Sequence, residues 1–169
     1  MEYYKSCPVD VIYNNNNGGP NSVWNSELDI HRTNYFIVTD PDCLYDGVPE
    51  DWLDKMLNTL KTSTFSKVGF SLRIDDLPDN EFTNDVKLWE AKFSVTKNEF
   101  GWVADIDSTF ALYKPNSSFT YSAIRLEEPY CIRHIPWYLT KETIDEEWRF
   151  YLKESNNTSS WGTRLKNLL

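Results

Sequence analysis

Apolar residues come along this chain in short blocks whose spacing alternates between that of a strand and that of a helix. Val9-Asp-Val-Ile-Tyr13 predicts a short strand, and it runs into Asn14-Asn-Asn-Asn-Gly-Gly-Pro20, a polar loop able to adopt positive φ and expose backbone N–H groups. A short helix is expected between Ser22 and Leu28, and a strand over Tyr35-Phe-Ile-Val-Thr39. Between Pro49 and Leu60, Trp52, Leu53, Met56, Leu57 and Leu60 fall at the spacing of an amphipathic helix, with Pro49, Glu50 and Asp51 suiting its first turn. Lys67-Val-Gly-Phe-Ser-Leu-Arg-Ile74 alternates as a strand does, and Asp75 to Asp79 breaks it. Strand, helix and strand in succession point to a βαβ unit and an α/β sheet.

Further on, Val86 to Phe93 reads as helical and Trp102 to Tyr113 as a long strand interrupted by acids, with Asp105 and Asp107 on one face. Ala123 to Tyr138, rich in aromatics and punctuated by proline, reads as a structured loop carrying Arg125, Arg133 and His134. Thr140 to Leu152 predicts an acidic helix with Asp145, Glu146 and Glu147 solvated, and residues 155–169 a polar C-terminal tail. No internal repeat is found, and 169 residues fit one domain spanning 1–169.

The chemistry concentrates at Asp40-Pro-Asp42, where an apolar strand ends in two aspartates one residue apart. Two carboxylates so placed repel at neutral pH, and a hard divalent cation, Mg²⁺ or Mn²⁺, relieves the repulsion. The carboxyl edge of an α/β sheet is also where such folds bind ligands. Asp-Pro-Asp is equally good turn chemistry, so both readings stand at this point. His134 has the same two readings, as a ligand or as a structural histidine. A carboxylate in an apolar strand, such as Asp107, needs a partner or a task, acid/base work among them.

Composition narrows the partners. A formal charge of −9, with 26 acidic against 17 basic residues, argues against nucleic acid, which needs a basic face. Aromatics make up 15% of the chain, including 7 Trp and 10 Tyr, which suits either an aromatic core or stacking on sugar rings. Three scattered cysteines, Cys7, Cys43 and Cys131, form neither a disulfide framework nor a zinc spacing and fit a reducing compartment. No segment approaches the ~20 apolar residues of a membrane span, and the first residues carry no signal-like apolar run. The expected location is therefore cytoplasmic.

Taken in order, Asn-Asn-Gly-Gly-Pro20, Thr39-Asp-Pro-Asp42, Lys67 to Pro78, Trp89-Glu90, Ile106 to Tyr113 and Arg133-His-Ile-Pro-Trp-Tyr138 resemble the small glycosyltransferases of the GT-A fold, related to glycosyltransferase family two, of bacteria and large DNA viruses. The resemblance spans about residues 9 to 162. It implies a Rossmann-like mixed sheet flanked by helices, a nucleotide-diphospho-sugar donor, a glycan acceptor and Mn²⁺ or Mg²⁺. It places Asp40 and Asp42 on the metal, with His134 as a further ligand, and Asn17, Gly18, Arg125 and Arg133 on the donor. Asp107 is the first choice for the base that deprotonates the acceptor hydroxyl, and Glu90 the second; Trp89, Trp137 and Tyr138 are stacking candidates. Stereochemistry, retaining or inverting, stays open. GT-A enzymes place two further β-α units ahead of the segment that Val9 to Tyr13 resembles, so a truncated GT-A domain is implied, with three outcomes open: a degenerate relative, weak donor binding, or a donor site completed by a second copy or a partner. The alternatives are a non-catalytic glycan-binding or assembly protein on a degenerate GT-A domain and, third, a metal-dependent phosphohydrolase using Lys67.

Overall fold

The computed structural model describes residues 2–13, 22–24, 34–154 and 161–168. Asn17 and Gly18, and most of the helix expected from Ser22, lie outside these; Ser22–Trp24 forms one 3-10 turn. The architecture is α/β, a mixed sheet flanked by helices, as the alternating pattern predicts. Seven strands are described: β1 (Phe36–Thr39), β2 (Cys43–Leu44), β3 (Lys67–Leu72), β4 (Lys97–Asn98), β5 (Gly101–Asp105), β6 (Phe110–Tyr113) and β7 (Ser122–His134). Their order is β1-β6-β3-β7-β5-β4, with β2 pairing the end of β7. β3 runs parallel to β7, and β6 is antiparallel to both β1 and β3. β1 and β3 are therefore parallel but not adjacent: the expected βαβ crossover skips one strand, which β6 fills.

Helix α1 (Glu2–Lys5) is a single turn, and α2 (Trp52–Thr62) crosses between β1 and β3. It buries Met56 and Leu60 against Val68, Phe70, Leu112, Ile124 and Leu126 on one face of the sheet. Full burial of such side chains contributes ~1.5–3 kcal/mol each. The opposite face carries Lys67, Gly69, Ala111, Tyr113, Ala123 and Arg125, and it is here that the site residues gather. A third cluster joins α3 (Glu81–Glu90), α4 (Glu146–Glu154) and α5 (Gly162–Leu168) through Phe82, Val86, Trp137, Leu152 and Leu165. The polar tail thus includes a docked helix, anchored by Leu165 and Trp161. Among the described residues no helix is long and apolar enough to cross a membrane.

Several expectations are corrected. Val9 to Tyr13 is not a strand: Val9, Ile12 and Tyr13 are 63%, 60% and 57% exposed, and among the described residues no strand pairs with them. The segment expected as a loop from Ala123 contains the longest strand, β7, which leaves its ladder with β3 after Leu126 and rejoins it at Cys131. The excursion Glu127–Tyr130 contains a cis Glu128–Pro129 bond and is held by Lys97–Glu127, Arg73–Glu128 and Tyr130–Asp51 contacts. The acidic helix starts at Glu146 rather than Thr140, where Asp145 caps the Trp148 N–H at 2.8 Å. The long strand from Trp102 is two strands, β5 and β6, that do not pair with each other.

That break positions the site. Residues 106–109 cross the sheet from the start of β7 to the end of β1, lying directly on Gly69. A Cβ there would collide with the Phe110 carbonyl and sit 2.7 Å from Ile106 Cδ1. Glycine is required because two backbones touch.

Candidate metal centre

Three turns converge where β1, β7 and the 106–109 crossing end. Asp40 leaves β1 on the face that also carries Gly69 and Arg125. Its N–H donates to the Thr109 carbonyl at 3.1 Å, and Thr39 Oγ1 and Cys43 Sγ donate to the same oxygen at 2.9 and 3.3 Å. One carbonyl of the crossing thus holds both sides of the Asp-Pro-Asp turn. After the turn, β2 pairs Cys43 with His134 and Leu44 with Arg133, and Ile135 N–H donates to the Asp42 carbonyl at 2.9 Å. These pairs bring His134, 92 positions away in sequence, beside the two aspartates.

Asp40, Asp42 and His134 each offer a ligand atom, and the three atoms lie within 4.8 Å of one another. His134 Nε2 is 3.5 Å from Asp42 Oδ1. That oxygen is buried and has no hydrogen-bond partner, as has His134 Nδ1. A buried carboxylate oxygen that accepts no hydrogen bond is costly unless positive charge meets it. Two carboxylate oxygens and one imidazole nitrogen suit Mn²⁺ or Mg²⁺ with open positions for oxygen ligands. The donor set therefore fits the group that the sequence implied. Burial lifts the Asp40 carboxyl above its usual range, the charges of Asp107 and Asp42 add to the rise, and a hydrogen bond from Ser108 opposes it. The Cys43 thiol is committed to the Thr109 carbonyl, and burial first and the neighbouring aspartates second push it up to about 12.

Asp107 is exposed and sits close enough to Asp40 to influence its charge. Its Oδ1 accepts from the Thr109 N–H at 3.0 Å and from the Thr109 hydroxyl, which fixes the carboxylate's orientation. Beneath it, Lys67 is fully buried and its ammonium donates to the carbonyls of Ile106, Asp107 and Thr120 at 2.5, 3.0 and 2.9 Å. Burial pulls that ammonium down to about 8. The sequence reading missed this role, although a lysine on the same strand face as Gly69 and Ser71 was a visible signal. Replacing Lys67 by Met leaves three carbonyls without their donor. It is expected to cost at least ~2 kcal/mol in urea unfolding and to speed amide exchange at Thr109.

The other candidates are placed differently. Glu90 and Arg125, expected in separate roles, form one buried ion pair at 2.7 Å, with 7% and 9% of their side chains exposed. Arg125 also donates from Nε to the Asp105 carbonyl at 2.8 Å and stacks 4.0 Å from the Phe93 ring centre. Burial lifts the Glu90 carboxyl above its usual value, against the pull of Arg125. Arg133 points to the opposite side of β7 from His134, where Asp76 accepts from both its Nε, at 2.8 Å, and its Nη2. Tyr138 Oη donates to Asp76 Oδ1 at 2.7 Å, and Trp137 lies buried against His134 with ring centres 4.9 Å apart. The structure therefore brings together Asp40, Asp42, His134 and Asp107, and leaves Arg133 outside. No protein-family model, curated protein or solved structure matches this chain.

Proposed function

We propose that this protein is a metal-dependent glycosyltransferase, moving a sugar from a nucleotide-diphospho-sugar to a glycan hydroxyl. The observation that carries the reading is the buried Asp42 Oδ1, which accepts no hydrogen bond and faces His134 and Asp40 at the end of β1. Asp40, Asp42 and His134 would hold Mn²⁺ or Mg²⁺, which supplies Lewis-acid neutralisation of a departing diphosphate. Among the described residues Arg125 and Arg133 already have carboxylate partners, so a cation is the natural source of that charge. Asp107 is the better base of the two candidates: it is exposed, oriented by Thr109 and on the same face as Asp40. Glu90 is buried and committed to Arg125, which favours a structural task.

A phosphohydrolase is disfavoured, because Lys67 is turned into three carbonyls and away from any phosphate. Calorimetric titration of UDP, GDP and their sugar conjugates, with and without Mn²⁺, tests the proposal. Binding of a nucleoside diphosphate only with Mn²⁺ is expected. Equal binding in EDTA, or none under either condition, would leave the alternative, a non-catalytic glycan-binding or assembly protein.

A further inference from the structure

On the exposed side of α3 a groove of about 260 Å³ runs between α3 and α5, lined by Asp85, Leu88, Trp89, Lys92, Trp161 and Arg164. Trp89 is 47% exposed and Leu88 70%, unusual for large apolar side chains with a core available to them. Trp89 and Trp161 meet edge to face, with centres 6.2 Å apart and planes at 84°, so their rings make two walls at a right angle. At the rim, Arg164 Nη1 donates to Asp85 Oδ2 at 2.6 Å, and the Arg164 guanidinium lies 5.6 Å from the Trp161 ring centre. Lys92 sits 4.2 Å from the centre of Trp89.

We propose that this groove binds a glycan, one pyranose ring resting against Trp89 and Trp161 with its hydroxyls bonded by the Asp85–Arg164 pair. A sugar ring is amphipathic, with C–H groups on its faces and hydroxyls on its edge, and it needs an aromatic wall beside paired donors and acceptors. The volume lies just below the ~300 Å³ at which drug-sized pockets begin, which is ring-sized. Asp85 and Arg164 compensate each other's charge while still offering an acceptor and a donor, as an uncharged polyhydroxyl ligand requires. A protein partner needs ~800 Å² on each side, more than a ring-sized recess supplies. Ring contacts run from the groove to the metal centre, from Trp161 to Trp137 at 6.3 Å and from Trp137 to His134 at 4.9 Å. Trp137, which is buried, stands between the groove and His134. Glycan binding stands on the groove itself; assigning that glycan as the acceptor rests on the transferase reading.

The test applies the full chain, in EDTA, to an array of immobilised neutral and acidic oligosaccharides, then titrates the best binder into the wild type and variants. Binding without metal is expected, about tenfold weaker in Trp89→Ala, intermediate in Trp89→Phe, weakened in Arg164→Ala and unchanged in Asp42→Asn. Trp89 is 47% exposed and Trp89→Phe keeps a ring beside Trp161, so that variant should unfold at the wild-type temperature. Binding to no oligosaccharide, or binding that ignores Trp89 and Arg164, overturns the groove assignment and leaves the transferase reading standing. Groove binding with no Mn²⁺-dependent nucleotide binding supports the groove and overturns the transferase reading.

Discussion

Replacing Asp42 by Asn is expected to weaken Mn²⁺ binding by more than ~100-fold, because loss of an outer-shell partner alone costs about 10–100-fold and Asp42 would be a direct ligand. The same substitution should leave the metal-free protein as stable as the wild type or slightly more so. It removes one of two neighbouring negative charges and keeps the size of the side chain, while the backbone bonds that hold the turn, Ile135 to Asp42 and Asp40 to Thr109, are untouched. The two effects have opposite signs, which separates a ligand from a scaffold residue. Mn²⁺ should raise the unfolding temperature of the wild type through its preferential binding to the native state and have no such effect on the variant. A variant that binds Mn²⁺ as tightly as the wild type would remove Asp42 from the site.

The second large effect concerns Arg125. Substituting Met leaves the Glu90 carboxylate buried without its partner, and the expected loss of stability is about 3–5 kcal/mol. The double variant Glu90→Leu with Arg125→Met should recover most of it, since apolar replacement of a whole buried pair is often neutral. The pH dependence follows from Glu90, whose carboxyl is already raised by burial above 4.5 in the folded protein. A raised folded pKa means that its contribution is fully present below about 4.5 and is lost as pH rises through the folded value. Without Arg125 that value climbs further, so Arg125→Met should be nearer to wild-type stability at pH 4.5 than at pH 8. Urea unfolding across that range measures it; a deficit independent of pH would assign the cost to lost packing against Phe93 instead.

How much of this was legible depended on how local each signal was. β1, α2 and β3 follow from patterns within a dozen residues, Met56 and Leu60 spaced for a helix, Val68 and Phe70 alternating for a strand. β7 was hidden because Glu127 to Tyr130 interrupts its alternation with two acids and a proline, and only the neighbouring β3 shows that Leu126 and Cys131 belong to one strand. Val9 to Tyr13 is the opposite case: its composition suits a strand, but among the described residues no strand pairs with it. Asp40, Asp42 and His134 could be named by residue type, yet their meeting depends on a two-residue strand, Cys43–Leu44, too short to leave a pattern. The Glu90–Arg125 pair was invisible because it joins a helix to a strand 35 positions away. Lys67 shares the strand face of Gly69 and Ser71, which signals an inward side chain, but the three carbonyls that surround it come from 39 to 53 positions away.

Asp40, Asp42 and His134 are proposed to bind one divalent cation jointly. Anomalous diffraction from a crystal grown with Mn²⁺ tests it most directly. One manganese peak is expected within coordination distance of an oxygen of each aspartate and a nitrogen of His134. An ordered cluster with no peak there, at Mn²⁺ concentrations that occupy other sites, would contradict it.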